Sequence, residues 1–473
     1  MSLTKVSYSM ITGAVINVLD YGADKTGVAD SIAAINAAIT AAGYGATVYL
    51  PTGTYKITSS ILLNGCNILG DGRKTIIQPS TDNFAAISSN SVAMQKFFIR
   101  GLYIDYSVAT GNAFPTNPNS VGIKFLGDAS FNPFEFQIEQ VWIRYAYYGF
   151  KDDSASYMYT LDQVRVDNSV NAFYLGTLGK TTVTFNNCYA NNFKGSAYYF
   201  YAIDGLNFLS GAFDSGNNTT TSSPMMLFAT CQGVNVSGID FESNTITGGG
   251  AAAIKFANVS GFNIQGLRPY ANTYATGTSD SIVISVNDGS VGSISGITLP
   301  ASDVSTGTGN AICVYVAEAS KLTIDSSVLG NIAGTATPYA LKVIDTSSVN
   351  VSQTTSLSSA YILGTNAKVV NNSLSLISND VGNADISFVP GLVTPILYFN
   401  TAITADRYAY LGLVGLYTGA QVTVVRTTNA TGAFNVKVYN QVTSTTLVNL
   451  TAGNSVTLVY TGSAWTVVSK AAL

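Results

Sequence analysis

The strongest constraint on how this chain folds is a short phrase that it repeats. Phe185-Asn-Asn-Cys-Tyr-Ala-Asn191, Phe208-Leu-Ser-Gly-Ala-Phe-Asp214, Val236-Ser-Gly-Ile-Asp-Phe-Glu242 and Ile264-Gln-Gly-Leu-Arg-Pro-Tyr270 share one pattern. Each opens on an apolar residue, passes through a small or polar pair to another apolar position, and ends on a polar or aromatic residue. With the opening residue as an anchor, the series becomes Ile68, Ile99, Ile138, Leu161, Phe185, Phe208, Val236, Ile264, Ile294, Ile324 and Val351, at gaps of 23 to 39 residues. Repeats of about 20 to 50 residues mark stacked solenoids, and apolar alternation at strand length makes this one a β-solenoid. The longest gap carries Thr110 to Asn119, which reads as a loop protruding from one face.

In a β-solenoid, equivalent positions stack about 4.8 Å apart, so each aligned position becomes a line along the molecule. Three and five residues past the anchor lie Val141 and Ile143, Val164 and Val166, Gly211 and Phe213, and Ile239 and Phe241, which should face inward. Positions four and six past the anchor should then face outward. The first reads Tyr103, Trp142, Arg165, Tyr189, Ala212, Asp240, Arg268; the second reads Asp105, Arg144, Asp167, Asn191, Asp214, Glu242, Tyr270, then Pro300 and Gly330. This double row of carboxylates, guanidiniums and aromatic rings suits a polysaccharide groove. Trp142 and Tyr189 are candidates for stacking on sugar rings, and Arg144, Arg165 and Arg268 for reading acidic groups.

The carboxylates can be ranked by spacing. Asp214 and Glu242 fall one rung apart in one column, with Asp240 two residues from Glu242 on the same strand. Glycosidases use carboxyl pairs at such separations, and crowding three acids should raise at least one pKa, leaving a proton to donate. Asp167 is held in reserve, and Tyr270 closes the face. Lys151-Asp152-Asp153 reads as a solvated turn.

Composition removes other chemistries. The chain of 473 residues contains no histidine, which excludes Ser-His-Asp and Cys-His nucleophiles and His-ligated zinc. General acids and bases must come from Asp, Glu, Lys, Tyr or Arg. No metal or cofactor is called for. A net charge of −4 argues against nucleic acid, and the lack of an apolar run of about 20 residues argues against a membrane span. Cys66, Cys188, Cys231 and Cys313 are widely spaced and read as buried thiols. No secretory signal is visible in Met1 to Ala14.

Toward the start, Val15 to Asp24 begins as a strand and turns. Asp30 can cap a helix running to about Ala42, with Ile32, Ile35 and Ile39 on one stripe and Gly43 as its stop. Such a helix suits a lid over the first rung, whose edge would otherwise invite aggregation. Ala46 to Ile57 reads as two strands about Pro51-Thr52-Gly53. Beyond Asn371-Asn372 the period stops, and Gln421–Arg426, Phe434–Tyr439 and Ser455–Tyr460 alternate as strands of an all-β unit. Trp465 there is a core residue or a glycan platform.

Residues 15 to 80, through "VINVLDYGADKTGVADSIAAINAAI", "ATVYLPTGTYKI" and "NILGDGRKTII", resemble the opening motif of the pectate-lyase-like superfamily of right-handed β-helices, above all its bacteriophage tailspike members. The resemblance implies an all-β, right-handed parallel β-helix with an N-terminal capping helix and a small C-terminal β-sandwich. Its expected divisions are an N-terminal segment 1–14, the opening turn and cap 15–65, the glycan-binding and catalytic β-helix 66–372, and a sandwich 373–473 for trimerisation or glycan binding. It further implies a phage tailspike depolymerase acting on capsular or O-antigen polysaccharide at the host surface, as a homotrimer held by a tail adaptor protein. Hydrolysis at Asp214, Asp240 and Glu242 is the leading chemistry. The alternatives are a lyase using Tyr189, Tyr270 or an Arg as base, and a non-catalytic adhesin.

Overall fold

A computed structural model describes residues 15–89, 94–126, 132–218, 223–247, 251–299, 302–330, 332–352, 355–357, 361–363, 367–371, 383, 385–388, 396–411, 420–441 and 443–472. The N-terminal segment 1–14, Pro300 and Asn372 lie outside them. The chain forms a parallel β-solenoid of about 13 turns, with few helices and additional small sheets near its C-terminus.

All eleven anchors pair in register along one parallel ladder, from Ile68↔Ile99 and Ile99↔Ile138 through Phe185↔Phe208 and Phe208↔Val236 to Ile324↔Val351. Their side chains are buried and form one continuous core. A second parallel sheet of 12 strands, from Ile61–Leu63 to Tyr361–Leu363, closes the opposite side. Between the sheets the aromatic residues stack rung on rung, as in Phe173 on Tyr198 and Phe228 on Phe256 with centroids 4.9 and 4.7 Å apart. Each such pair adds about 0.5–1.5 kcal/mol beyond its buried area.

The bends have a cause visible in the backbone. Two residues past the anchor, Gln140, Gln163, Asn187, Ser210, Gly238 and Gly266 all adopt left-handed φ, between 50° and 67°. Five residues later Tyr145, Asn168, Asn192, Ser215, Ser243 and Ala271 do the same. A single left-handed residue turns the chain sharply without breaking the ladder, and Gly and Asn enter this region at least cost. The small or polar residue inside each repeated phrase is this bend. Just past the second bend, Asn244 and Asn272 stack into Asp303, and their amides donate to the Phe213 and Phe241 carbonyls of preceding turns.

At the N-terminal end the helix Ile32–Ala42 buries Ile32, Ile35 and Ile39 against the first rungs, and Gly43 terminates it. Its cap residue is Ser31; Asp30, one residue earlier, still accepts the Ile32 amide at 3.1 Å. Near the C-terminus two four-stranded sheets share one core that includes Phe399, Val424, Val438, Leu458 and Trp465. Trp465 is only 4% exposed, so it fills that core and offers no glycan platform. Arg426 is buried there too, donating to the carbonyls of Ala430, Gly432, Phe434 and Leu450.

All four cysteines are free and buried, and burial pushes their thiols up to about 11 for Cys66 and Cys231 and about 12 for Cys188 and Cys313. The Lys151-Asp152-Asp153 stretch is not a solvated turn. Asp152 is fully buried, accepting from Ser154, Ser156 and Tyr159, while Lys151 pairs with Asp153 at 2.8 Å. Asp152 stands in an inward column between the apolar residues Phe125 and Leu175, so it needs hydroxyl partners. Among the described residues, no helix is long and apolar enough to cross a membrane.

Candidate functional site

The two polar columns are in register, residue by residue. Tyr103, Trp142, Arg165, Tyr189, Ala212, Asp240 and Arg268 pair in succession, as do Asp105, Arg144, Asp167, Asn191, Asp214, Glu242 and Tyr270. Three of the strands that carry them, Lys180–Phe193, Ile203–Asp214 and Gln232–Glu242, are the longest of the ladder. From Trp142 to Tyr270 each column residue sits between the two left-handed bends, beside inward residues such as Ile239 and Phe241 that are locked in the core.

At the acidic end, Asp214 is partly buried. The Tyr189 hydroxyl donates to its Oδ2 at 2.6 Å, and the backbone amide of Glu242 donates to its Oδ1 at 3.1 Å. Burial pushes the Asp214 carboxyl above its ordinary value; the Tyr189 and Glu242 donors oppose this, and the charges of Glu242 and Asp240 add to it. The expected effect of crowding is present, and desolvation outweighs it. Glu242 is exposed one rung on. Asp240 is engaged otherwise: Arg268 grips it with two hydrogen bonds of 2.6 and 2.7 Å. Tyr270, next to Glu242 in the ladder, is 53% exposed.

Toward the N-terminus the columns are held by their own partners. Asp167 lies in the outward column but is 4% exposed, because the Trp142 indole donates to it at 2.6 Å and Arg165 Nε reaches both of its oxygens at 3.0 and 2.9 Å. Trp142 stacks on Tyr103 with centroids 4.9 Å apart, and the guanidiniums of Arg73 and Arg165 lie 3.7 and 5.2 Å from its ring centre. These neighbours occupy the surface on which a sugar would stack, so Trp142 braces the face. Arg165 also lies 4.7 Å over the Tyr189 ring. Two of the three expected charge readers, Arg165 and Arg268, are therefore neutralised by ion pairs, whereas Arg144 has no carboxylate at salt-bridge distance among the described residues. Arg144 donates to the Tyr103 hydroxyl at 2.8 Å, and that hydroxyl donates to Asp105 at 3.0 Å.

Sequence reasoning misses Arg73, and it places the protruding loop of Thr110 to Asn119 without its contacts. Arg73 lies in a 3-10 turn, Gly72–Lys74, off the repeat's register, and reaches across a rung to Trp142. The loop after Asp105 leans along the solenoid until the Phe114 ring meets Lys194 Nζ at 4.3 Å. Lys194 belongs to a rung three turns further on, so the loop walls one side of the columns. Among the described residues, no group of three or more acidic, cysteine or histidine side chains could hold a metal ion.

Comparison with known proteins agrees with this architecture. Residues 15–118 match the family model described as rhamnogalacturonase A/epimerase, pectate lyase-like. No curated protein matches the sequence. Among solved structures, the gp42 tailspike of Acinetobacter phage vb_AbaP_AS12 is 15% identical with a TM-score of 0.55, over 97% of this chain and 82% of that one. The A-module of mannuronan C-5 epimerase AlgE6 from Azotobacter vinelandii is 18% identical, with a TM-score of 0.46 over 73% of this chain and 99% of its own. Tailspike protein 2 of an Escherichia coli O157:H7 bacteriophage is 13% identical, with a TM-score of 0.48 over 76% of this chain and 46% of its own. The first of these shares the fold over nearly the whole chain.

Proposed function

We propose that this chain is a phage-tail depolymerase that binds a bacterial surface polysaccharide, capsule or O-antigen, and cleaves it by glycoside hydrolysis. The observation that carries this reading is the pairing of Asp214 with Glu242, one partly buried and raised in pKa, the other exposed, on adjacent rungs of one column. A carboxyl that keeps its proton can pass it to the glycosidic oxygen as the C–O bond breaks. A neighbouring carboxylate can activate the water, or itself attack the sugar and release it to water afterwards. Tyr189 orients the acid, and Asp240, committed to Arg268, positions the chain near Glu242.

Elimination is the weaker reading. A lyase needs a base beside the sugar carboxylate. The Tyr189 phenol is pushed far above its ordinary value by burial and by its bond to Asp214, so it is a donor here. On this reading the chain acts at the host surface as a homotrimer on the virion, held by a tail adaptor.

The test is to incubate the protein with purified capsules and O-antigens and follow chain length together with the ultraviolet absorbance of unsaturated uronate. Shortening without absorbance, lost in Asp214→Asn and Glu242→Gln, supports hydrolysis at this pair. Shortening with absorbance replaces it with elimination, and binding without shortening leaves an adhesin.

A further inference from the structure

We infer that Arg73 and Arg144 form a subsite for an acidic group of the polymer, three rungs to the N-terminal side of Asp214. The inference rests on the polysaccharide reading above and narrows its substrate class to acidic polymers. Three guanidiniums gather on the Trp142 ring, those of Arg73, Arg165 and Arg144, at 3.7, 5.2 and 5.8 Å from its centre. Arg165 is neutralised by Asp167 at 2.9 Å. Neither Arg73 nor Arg144 has a carboxylate within salt-bridge distance among the described residues. Of the two acids that flank Arg144 in its column, Asp105 is engaged by the Tyr103 hydroxyl and the Ser107 amide, and Asp167 by Trp142 and Arg165.

Two cations with no carboxylate at salt-bridge distance among the described residues gather on one aromatic support, and each presents donors in a planar fork that a carboxylate or phosphate matches. The chain as a whole carries a net charge of −4, so this is a local reversal of sign on the face that also bears the acids. Arg144, Asp167, Asn191 and Asp214 are successive partners in one column, which sets the subsite roughly 14 Å from the acid at ~4.8 Å per rung. The wall made by Phe114 and Lys194 runs beside the same rungs. A polymer lying along the column would place an acidic sugar on Arg73 and Arg144 and a bond a few sugar units away at Asp214.

The test uses the full chain and a panel of purified bacterial surface polysaccharides, acidic and neutral. Binding to Asp214→Asn is read from the fluorescence of Trp142; the other tryptophan, Trp465, is buried in the C-terminal core and serves as the constant background. Acidic polymers should bind and alter the Trp142 signal. Arg73→Gln, an exposed change, should weaken binding roughly 10-fold, and Arg73→Gln with Arg144→Gln a further 10-fold. Binding only to neutral polymers, undiminished binding by the double variant, or no binding to any acidic polymer each overturns the subsite. An acidic polymer held through Arg73 but never shortened by the unmodified protein keeps the subsite and removes hydrolysis. A neutral polymer shortened normally does the reverse.

Discussion

The Tyr189 hydroxyl donates to Asp214 Oδ2 at 2.6 Å from the adjacent rung, the shortest contact made by any carboxylate of the Asp214, Asp240 and Glu242 cluster apart from the equal bond between Arg268 and Asp240. That bond stabilises the ionised form of Asp214 and so works against the burial that raises its pKa. Removing it with Tyr189→Phe should push the Asp214 pKa higher still. If Asp214 is the general acid, the alkaline limb of the pH–rate profile moves to higher pH, while kcat falls by about tenfold through lost orientation. Stability should fall by only about 1 kcal/mol. An unmoved alkaline limb would show that another group supplies the proton.

The three acids should separate by role. Asp240 is held by Arg268 in an ion pair whose side chains are 45% and 73% exposed, and pairs of that kind contribute little to folding. Asp240→Asn should therefore leave kcat within a few-fold and stability within about 0.5 kcal/mol, raising KM instead. Glu242→Gln should lower kcat by about 100-fold or more at nearly unchanged stability. Steady-state kinetics on one purified polymer checks both, and equal losses from the two variants would dissolve the distinction.

The fold was legible because it is written redundantly. Each anchor from Ile68 to Val351 repeats the same inward position, so a slip of one residue would turn an entire rung inside out. The polar columns followed from that register alone. What the register could not show is which column side chains bind one another. Asp167 and Asp214 are equivalent in sequence, yet Asp167 is covered by Trp142 and Arg165 while Asp214 accepts from Tyr189 and a backbone amide. Rotamers and reach decide that, and Arg73 lies off the repeat altogether. Asp152 misled for the opposite reason: an acidic dipeptide looks like a turn unless its column is known to face inward.

The left-handed bends make a sharper claim about sequence. Gly238 adopts φ 67°, and a Cβ built on it would meet nothing nearer than Ser210 Oγ at 3.6 Å, so space is not the constraint there. Conformation is. Gly238→Asn should cost less than about 0.5 kcal/mol, as Asn tolerates this region, whereas Gly238→Val should cost about 1–2 kcal/mol or more. In the other direction, Ser210→Gly at φ 50° should stabilise by about 0.5–1 kcal/mol. Thermal unfolding of the three variants under one buffer ranks them, and a destabilised Ser210→Gly would mean that the serine hydroxyl, not the bend, governs the position.

Burial of Asp214 also predicts how stability depends on pH. Its folded pKa lies above the unfolded value of about 3.9, so above that pH the folded state holds more protons than the unfolded one. The contribution of this residue is therefore most favourable at low pH and is lost as pH rises through the folded pKa. Asp214→Asn removes the charge while its amide oxygen can still accept from the Glu242 backbone. At neutral pH the variant should unfold at the same temperature as the unmodified protein or a higher one. The difference should shrink as the pH is lowered toward the unfolded value, where the natural carboxyl is already neutral. An acid kept for chemistry at some expense to folding gives this pattern, with activity lost and stability retained or gained. If Asp214→Asn is instead less stable at neutral pH than at pH 4 relative to the unmodified protein, the carboxylate is a structural acceptor, and the acid must be sought elsewhere on the face.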